Sequence, residues 1–261
     1  MKRAVFFDID GTLWNSNFEI PKTVYTALDK LKKEGIYSFI CTGRSRSNMW
    51  DGELLSLPFD GIVAGCGTYI EMDKKVIYEK RMEQDEIMQL RNCLKELDMP
   101  VLFEGKKYMY ADMEEFSGDR YVEYIKNGAG NILLPIKGNE NRYDINKMSA
   151  ATKKHDISPL KKRFGDIVDI ISHDAPVIEI LPKGFSKASG IKHVCELLDI
   201  ERKNTYAFGD SANDLEMLRY VGCGIAMGNG TDEVKDVADY ITDEVERDGI
   251  YNGLYKLGLI C

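Results

Sequence analysis

Four apolar residues, Ala4-Val5-Phe6-Phe7, run directly into Asp8-Ile9-Asp10-Gly11-Thr12-Leu13, and this junction limits what the chain can fold into more than any other stretch. A short unbroken apolar run reads as a fully buried strand, and the acids stand where that strand ends. In open α/β sheets the ligand crevice lies at the carboxyl ends of the strands, so Asp8 and Asp10 fall where a reacting group would be held. Side chains two apart on an extended chain share a face, which lets the two carboxylates converge. Unneutralised at close range they repel, and a divalent cation between them removes that cost. The arrangement predicts Mg²⁺. Gly11 suits a tight turn and Thr12 can hydrogen-bond within it. Taken alone, the same pair also fits a strand followed by a polar turn, so the reading depends on the rest of the chain.

A β-α rhythm follows. Val24, Ala27, Leu28 and Leu31 fall at helical spacing between Pro21 and Gly35, and Tyr37 to Cys41 is a second apolar run ending in Thr42-Gly43-Arg44. Ser45 to Leu55 is predicted as a helix, Gly61 to Ala64 as a strand, and Tyr69 to Met72 with Val76 to Tyr78 as a hairpin turning at Asp73-Lys74-Lys75. Near residue 81 the rhythm changes. A helix carrying Ile87, Leu90, Leu94 and Leu97 precedes strands at Val101 to Glu104 and Tyr108 to Ala111, and a second helix is predicted from Glu114 to Lys126. Ile145 to Thr152 fits strand or helix, and Ile167 to Ser172 and Val177 to Leu181 read as strands. Helices beside adjacent strands suggest an α+β layer, so 81–183 reads as an inserted second domain. The alternation then resumes. Ser186 can cap a helix with Ile191, Val194, Cys195 and Leu198 on its apolar stripe, and the buried strand Thr205 to Gly209 ends in Asp210. Asp210-Ser211-Ala212-Asn213-Asp214 opens a helix; a strand (222–226), a helix (231–238), a short strand (240–242) and a closing helix (249–257) complete the chain.

Composition narrows the function classes. Across 261 residues the net charge is −8 and the basic residues are dispersed, so nothing marks a nucleic-acid groove. A small anionic substrate is not excluded, because one lysine or metal ion outweighs a dilute field. The six cysteines are far apart without a C-x-x-C, which predicts thiols in a reducing compartment rather than disulfides or zinc. No leader-like apolar segment and no 18-residue apolar span predict a cytoplasmic protein. His155, His173 and His193 lack metal-ligand spacing, and Gly65-x-Gly67 lacks the third glycine of a dinucleotide fingerprint.

Four short elements follow a core strand or cap the helix beside one: Asp8-x-Asp10-Gly11-Thr12-Leu13, Thr42-Gly43-Arg44, Lys187, and Gly209-Asp210-Ser211-x-Asn213-Asp214. In order and type they resemble the four motifs of the haloacid dehalogenase superfamily. With the insert between the second and third motifs, Gly224-Ile225-Ala226-Met227-Gly228-Asn229 and Asp248-Gly249-Ile250, the whole chain is similar to the Cof-type (class IIB) sugar phosphatases with a C2B cap. The resemblance implies an α/β fold with a Rossmann-like, doubly wound parallel sheet core (1–80 plus 184–261) and an inserted α+β cap domain (81–183). It implies a Mg²⁺-dependent phosphatase acting on small phosphate monoesters, sugar phosphates above all, with no nucleic-acid, membrane or protein partner indicated. Asp8 matches the nucleophile that becomes an aspartyl-phosphate, and Asp10 the general acid and then base. Thr42, Gly43, Lys187 and Asn213 match phosphate-binding positions, and Asp8, Asp10 (through its carbonyl), Asp210 and Asp214 the metal site, Asp214 directly or through water. Arg44 is open between a substrate contact and an ion-pair partner; by residue type alone Lys187 also fits a solvated lysine, and Asp214 a helix-capping acid. A phosphomutase of the same superfamily, a receiver-like module or a silent phospho-ligand binding protein are the alternatives. Receiver modules are about half this length and carry no insert, and a silent binder would not be expected to keep every expected side chain.

Overall fold

The computed structural model describes residues 1–116, 120–140, 143–152, 155–172 and 176–261. They form two compact units, Met1–Gly43 with Asp51–Tyr78 and Ser186–Cys261, and Arg44–Trp50 with Glu79–Phe185. In chain order the first unit contributes β1 (Arg3–Phe7), α1 (Lys22–Lys33), β2 (Ile36–Cys41), α2 (Gly52–Ser56), β3 (Gly61–Ala64), β4 (Tyr69–Met72) and β5 (Lys75–Glu79, its last residue already in the second unit). The second unit holds α3 (Gln84–Glu96), β6 (Val101–Gly105), β7 (Met109–Tyr110), α4 (Arg120–Ala129), β8 (Leu133–Leu134), β9 (Ile145–Ala151), α5 (Ser158–Phe164), β10 (Val168–Ser172) and β11 (Val177–Pro182). The first unit resumes with α6 (Lys187–Leu198), β12 (Thr205–Gly209), α7 (Leu215–Tyr220), β13 (Cys223–Ala226), α8 (Asp232–Val237), β14 (Tyr240–Ile241) and α9 (Gly249–Lys256).

The sheet of the first unit has the order β14-β13-β12-β1-β2-β3-β4-β5. It is parallel from β14 through β3, and β4 returns antiparallel on β3. The chain winds outward from β1 through β2 and β3, then restarts on the other side of β1 with β12. That reversal is a topological switch point, where the carboxyl ends of neighbouring strands diverge to leave a crevice. Ala4 and Phe6 join a core with Ile191 and Val194 of α6 and Met217 and Leu218 of α7. Phe7, one step out of phase, stacks on Phe208 at 5.2 Å, and Phe6 on Phe39 at 5.3 Å. Both faces of β1 are therefore buried, which is why its sequence is continuously apolar rather than alternating. The second unit carries a separate sheet, β10-β11-β9-β6-β7-β8, antiparallel except at its β7/β8 edge, over its own apolar cluster from Met82 to Ile180.

Several expectations change. The helix predicted over 45–55 is broken into a 3₁₀ turn at Arg46–Asn48 and α2, because Asp51 takes an N-cap conformation and its side chain accepts from the Leu54 N–H at 2.8 Å. Residues 44–50 group with the second unit, whereas the sequence placed them with the first. The Ser45 hydroxyl donates to the buried Glu104 carboxylate at 3.0 Å, as does Ser149 at 2.5 Å. The helix predicted over 114–126 is a 3₁₀ turn at Met113–Phe116 followed by α4, with 117–119 outside the described residues. Residues 145–152, open between helix and strand, contain strand β9. Helix α5 and the two-residue β8 were not anticipated; Pro159 at the helix start, with Leu160 and Phe164 buried four apart, was the available signal for α5. All six cysteines are free thiols. His193 packs against Tyr78 with ring centroids 4.0 Å apart and planes tilted by 46°, His155 is exposed, and His173 lies outside the described residues. No helix among the described residues is long and apolar enough to cross a membrane.

Candidate active site

Asp8 follows β1 and Asp210 follows β12, the two strands that meet at the switch point. The Asp8 N–H donates to the Phe208 carbonyl at 3.0 Å, extending the β1/β12 ladder by one bond and fixing the acid at its edge. Lys187 arrives on the first turn of α6. That helix begins with a reciprocal cap, the Ser189 N–H donating to Ser186 Oγ and the Ser186 N–H to Ser189 Oγ. Its approach depends on glycine: a Cβ on Gly190 would lie 2.5 Å from Val63 Cγ1 and 2.8 Å from Gly67 Cα.

The Lys187 ammonium is 2.6 Å from Asp8 Oδ1, 2.6 Å from Asp214 Oδ1 and 3.2 Å from Asn213 Oδ1. It is almost fully buried, as are Asp8 and Asp214. Asp214 also accepts from the backbone N–H groups of Asp210 (3.0 Å) and Ser211 (3.2 Å) through Oδ2, closing the 210–214 turn on itself. It is thus more than a helix-capping acid, and the solvated reading of Lys187 is excluded by its burial. Asn213 accepts from Ser211 Oγ at 2.9 Å. Thr12 donates to Asp210 Oδ1 at 3.3 Å, and Gly11, at φ +77°, passes so close that a Cβ there would lie 2.3 Å from Asp210 Oδ2.

Carboxylate oxygens of Asp8, Asp210 and Asp214 lie within 4.8 Å of one another. Three carboxylates against one ammonium leave an excess of two negative charges in a buried place. Burial, and next the neighbouring Asp214, push the Asp210 carboxyl up to about 7. Burial also raises Asp8 well above the usual carboxylate range although Lys187 opposes it. Burial disfavours the Lys187 charge, but Asp214 and Asp8 outweigh it and hold the ammonium protonated far into the alkaline range. A doubly charged cation fits this deficit, and an all-oxygen donor set suits a hard ion.

A pH dependence follows. A carboxyl whose folded pKa is raised binds more protons folded than unfolded between its ordinary value near 4 and about 7. Stability of the chelator-treated protein is therefore expected to fall as pH rises from 5 to 8, and added divalent cation to raise the melting temperature more at pH 8 than at pH 5. A melting temperature in chelator that rises over this range would contradict the assignment.

Asp10 is exposed, and its Oδ1 accepts from the Trp14 indole N–H at 3.1 Å; its carboxylate is not among the three clustered acids. Thr42 is buried at the end of β2, its N–H donating to Val63 O (2.9 Å) and its carbonyl accepting from Cys66 N–H (3.1 Å), with Gly43 next in the chain. Arg44 belongs to the second unit. Sequence reasoning did not single out Trp14, whose only signal was its position four residues after Asp10.

A family model described as haloacid dehalogenase-like hydrolase matches residues 5–254. The chain belongs to that family, and it is a phosphoric monoester hydrolase. YkrA, a Bacillus subtilis protein whose name assigns it provisionally to the phosphatases, is 30% identical over 260 residues, covering 99% of this chain and 98% of its own length. The 5-amino-6-(5-phospho-D-ribitylamino)uracil phosphatase YitU of the same organism is 28% identical over 256 residues, covering 94% of each chain. The solved structure of the subclass IIB sugar phosphatase BT4131 superposes with a TM-score of 0.79 at 24% identity, covering 99% of this chain and all of that one.

Proposed function

We propose that this chain is a Mg²⁺-dependent phosphatase of small phosphate monoesters, sugar phosphates above all, working in the cytoplasm through an aspartyl-phosphate on Asp8. The observation that carries the reading is the buried Lys187 ammonium held between Asp8 and Asp214 at the switch point. Lysine grips one oxygen of Asp8 and leaves the other to attack phosphorus, and its positive charge opposes the effect of burial and favours the ionised form of Asp8. As the new O–P bond forms and the ester O–P bond breaks, Asp10 gives its proton to the departing oxygen. Asp10 then takes a proton from water, whose oxygen attacks phosphorus, releasing phosphate and restoring Asp8. Lys187, with Thr42, Gly43 and Asn213, steadies the phosphoryl oxygens. Mg²⁺ would be held by Asp8, Asp210, Asp214 and the Asp10 carbonyl, and would neutralise charge on the transferring group when bound. Residues 81–183 serve as the cap that chooses the leaving group, and Arg44 is a candidate substrate contact. The sugar-phosphate preference is supported by YitU, whose named substrate is a phosphorylated ribityl compound.

The test is phosphate release from an aryl phosphate and from a panel of sugar phosphates. Activity should vanish in EDTA and return with Mg²⁺. Full activity in EDTA would remove the metal from the reading, and conversion of a sugar phosphate to its isomer without free phosphate would identify a mutase instead.

A further inference from the structure

We propose that Trp14 is a positioning residue for Asp10, holding its carboxylate in the orientation that proton transfer to the leaving group needs. The proposal rests on the role given to Asp10 above. Asp10 is an exposed side chain, and an exposed carboxylate otherwise samples several rotamers. Trp14 is its opposite, only 2% exposed, and its indole N–H, which can donate but not accept, points at Asp10 Oδ1 from 3.1 Å.

The chain between them is closed on itself. The N–H groups of Thr12, Leu13 and Trp14 all donate to the Ile9 carbonyl, at 3.2, 2.9 and 3.2 Å, and the Gly11 N–H donates to the Trp14 carbonyl at 3.1 Å. Carboxylate and indole thus belong to one rigid loop. The indole is braced in turn by Phe18, whose ring meets it edge-on at 5.4 Å and 86°. Phe18 reaches that position through a left-handed backbone (φ 62°), in a loop where Asn15 Oδ1 accepts from the N–H groups of Asn17 (2.9 Å) and Glu19 (3.1 Å). An anchored donor fixes one oxygen of Asp10 and with it the plane of the carboxylate, and orientation of a proton donor is worth rate only in the step that uses the proton.

Trp14→Phe keeps the ring and removes the N–H. For a sugar or alkyl phosphate, whose leaving oxygen needs a proton, kcat/KM should fall about 10- to 100-fold, the range expected for losing a hydrogen bond to a charged group. The burst of phenolate from an activated aryl phosphate, which needs no acid, should keep its wild-type rate. In an Asp10→Asn background the same substitution should cost nothing further on the alkyl substrate. Phe18→Leu, at an exposed position that leaves the N–H in place, should reproduce the selective loss in weaker form and serves if Trp14→Phe does not fold. Equal losses on both leaving groups, or an undiminished loss in the Asp10→Asn background, would reduce Trp14 to a packing residue and overturn the proposal. If Asp10→Asn alone shows no dependence on the leaving group, Asp10 is not the acid; both readings then fall, and that single variant tells this case from failure of Trp14 alone.

Discussion

Asp8→Asn is expected to bring phosphate release to background with every ester, while Asp10→Asn, two residues away, fails only where a proton must move. An amide at residue 8 is a poor nucleophile, so no covalent intermediate can form and no choice of leaving group rescues it. Asp10→Asn retains the backbone carbonyl and the acceptor facing Trp14, and should lose roughly 10² to 10⁴ in turnover of a sugar phosphate. With an activated aryl phosphate its first step should be nearly intact. The second step still lacks a base, so the aspartyl-phosphate should accumulate and a burst should precede slow turnover. Rapid-quench measurement on both variants reads this directly. A burst from Asp8→Asn, or equal damage to both steps in Asp10→Asn, would mean that the two roles are wrongly assigned.

Lys187→Met is expected to separate stability from catalysis. The ammonium lies 2.6 Å from each of two buried carboxylates. Its removal leaves Asp8 and Asp214 facing each other without compensation, a loss of the kind that costs about 3–5 kcal/mol when one partner of a buried pair is deleted. In chelator the variant should melt well below the wild type. Excess Mg²⁺ should restore much of that loss, since a cation among the three acids supplies the missing positive charge. Activity should stay depressed by roughly 10² to 10³ even at saturating Mg²⁺, because the variant lacks the donor that we propose steadies the phosphoryl oxygens. Melting curves with and without Mg²⁺, run beside phosphate release, check both halves. Recovery of activity together with stability would make Lys187 a structural counter-charge only.

The sequence by itself determined the class of the core and singled out the acids and the lysine that the structure brings together beside β1 and β12. Continuous burial of β1 leaves a run of four apolar residues that no exposed segment would carry, and Asp8, Asp210 and the Thr-Gly pair stand at the ends of such runs because strand ends are where a parallel sheet opens, while Lys187 opens helix α6 behind its Ser186 cap. These are local patterns, legible one element at a time. Tertiary structure decided how the acids divide. Asp8, Asp210 and Asp214 converge because β1 and β12 are sheet neighbours, a pairing about 200 residues apart in sequence that local pattern does not report. Asp10 turned instead to Trp14, since the 9–14 loop closes on the Ile9 carbonyl and brings an indole N–H to its side chain. The same limit explains residues 44–50. Their composition suits a helix, yet Asp51 caps a new one and Ser45 bonds to Glu104, an acid 59 positions away, so long-range hydrogen bonds to a buried charge override local helix preference.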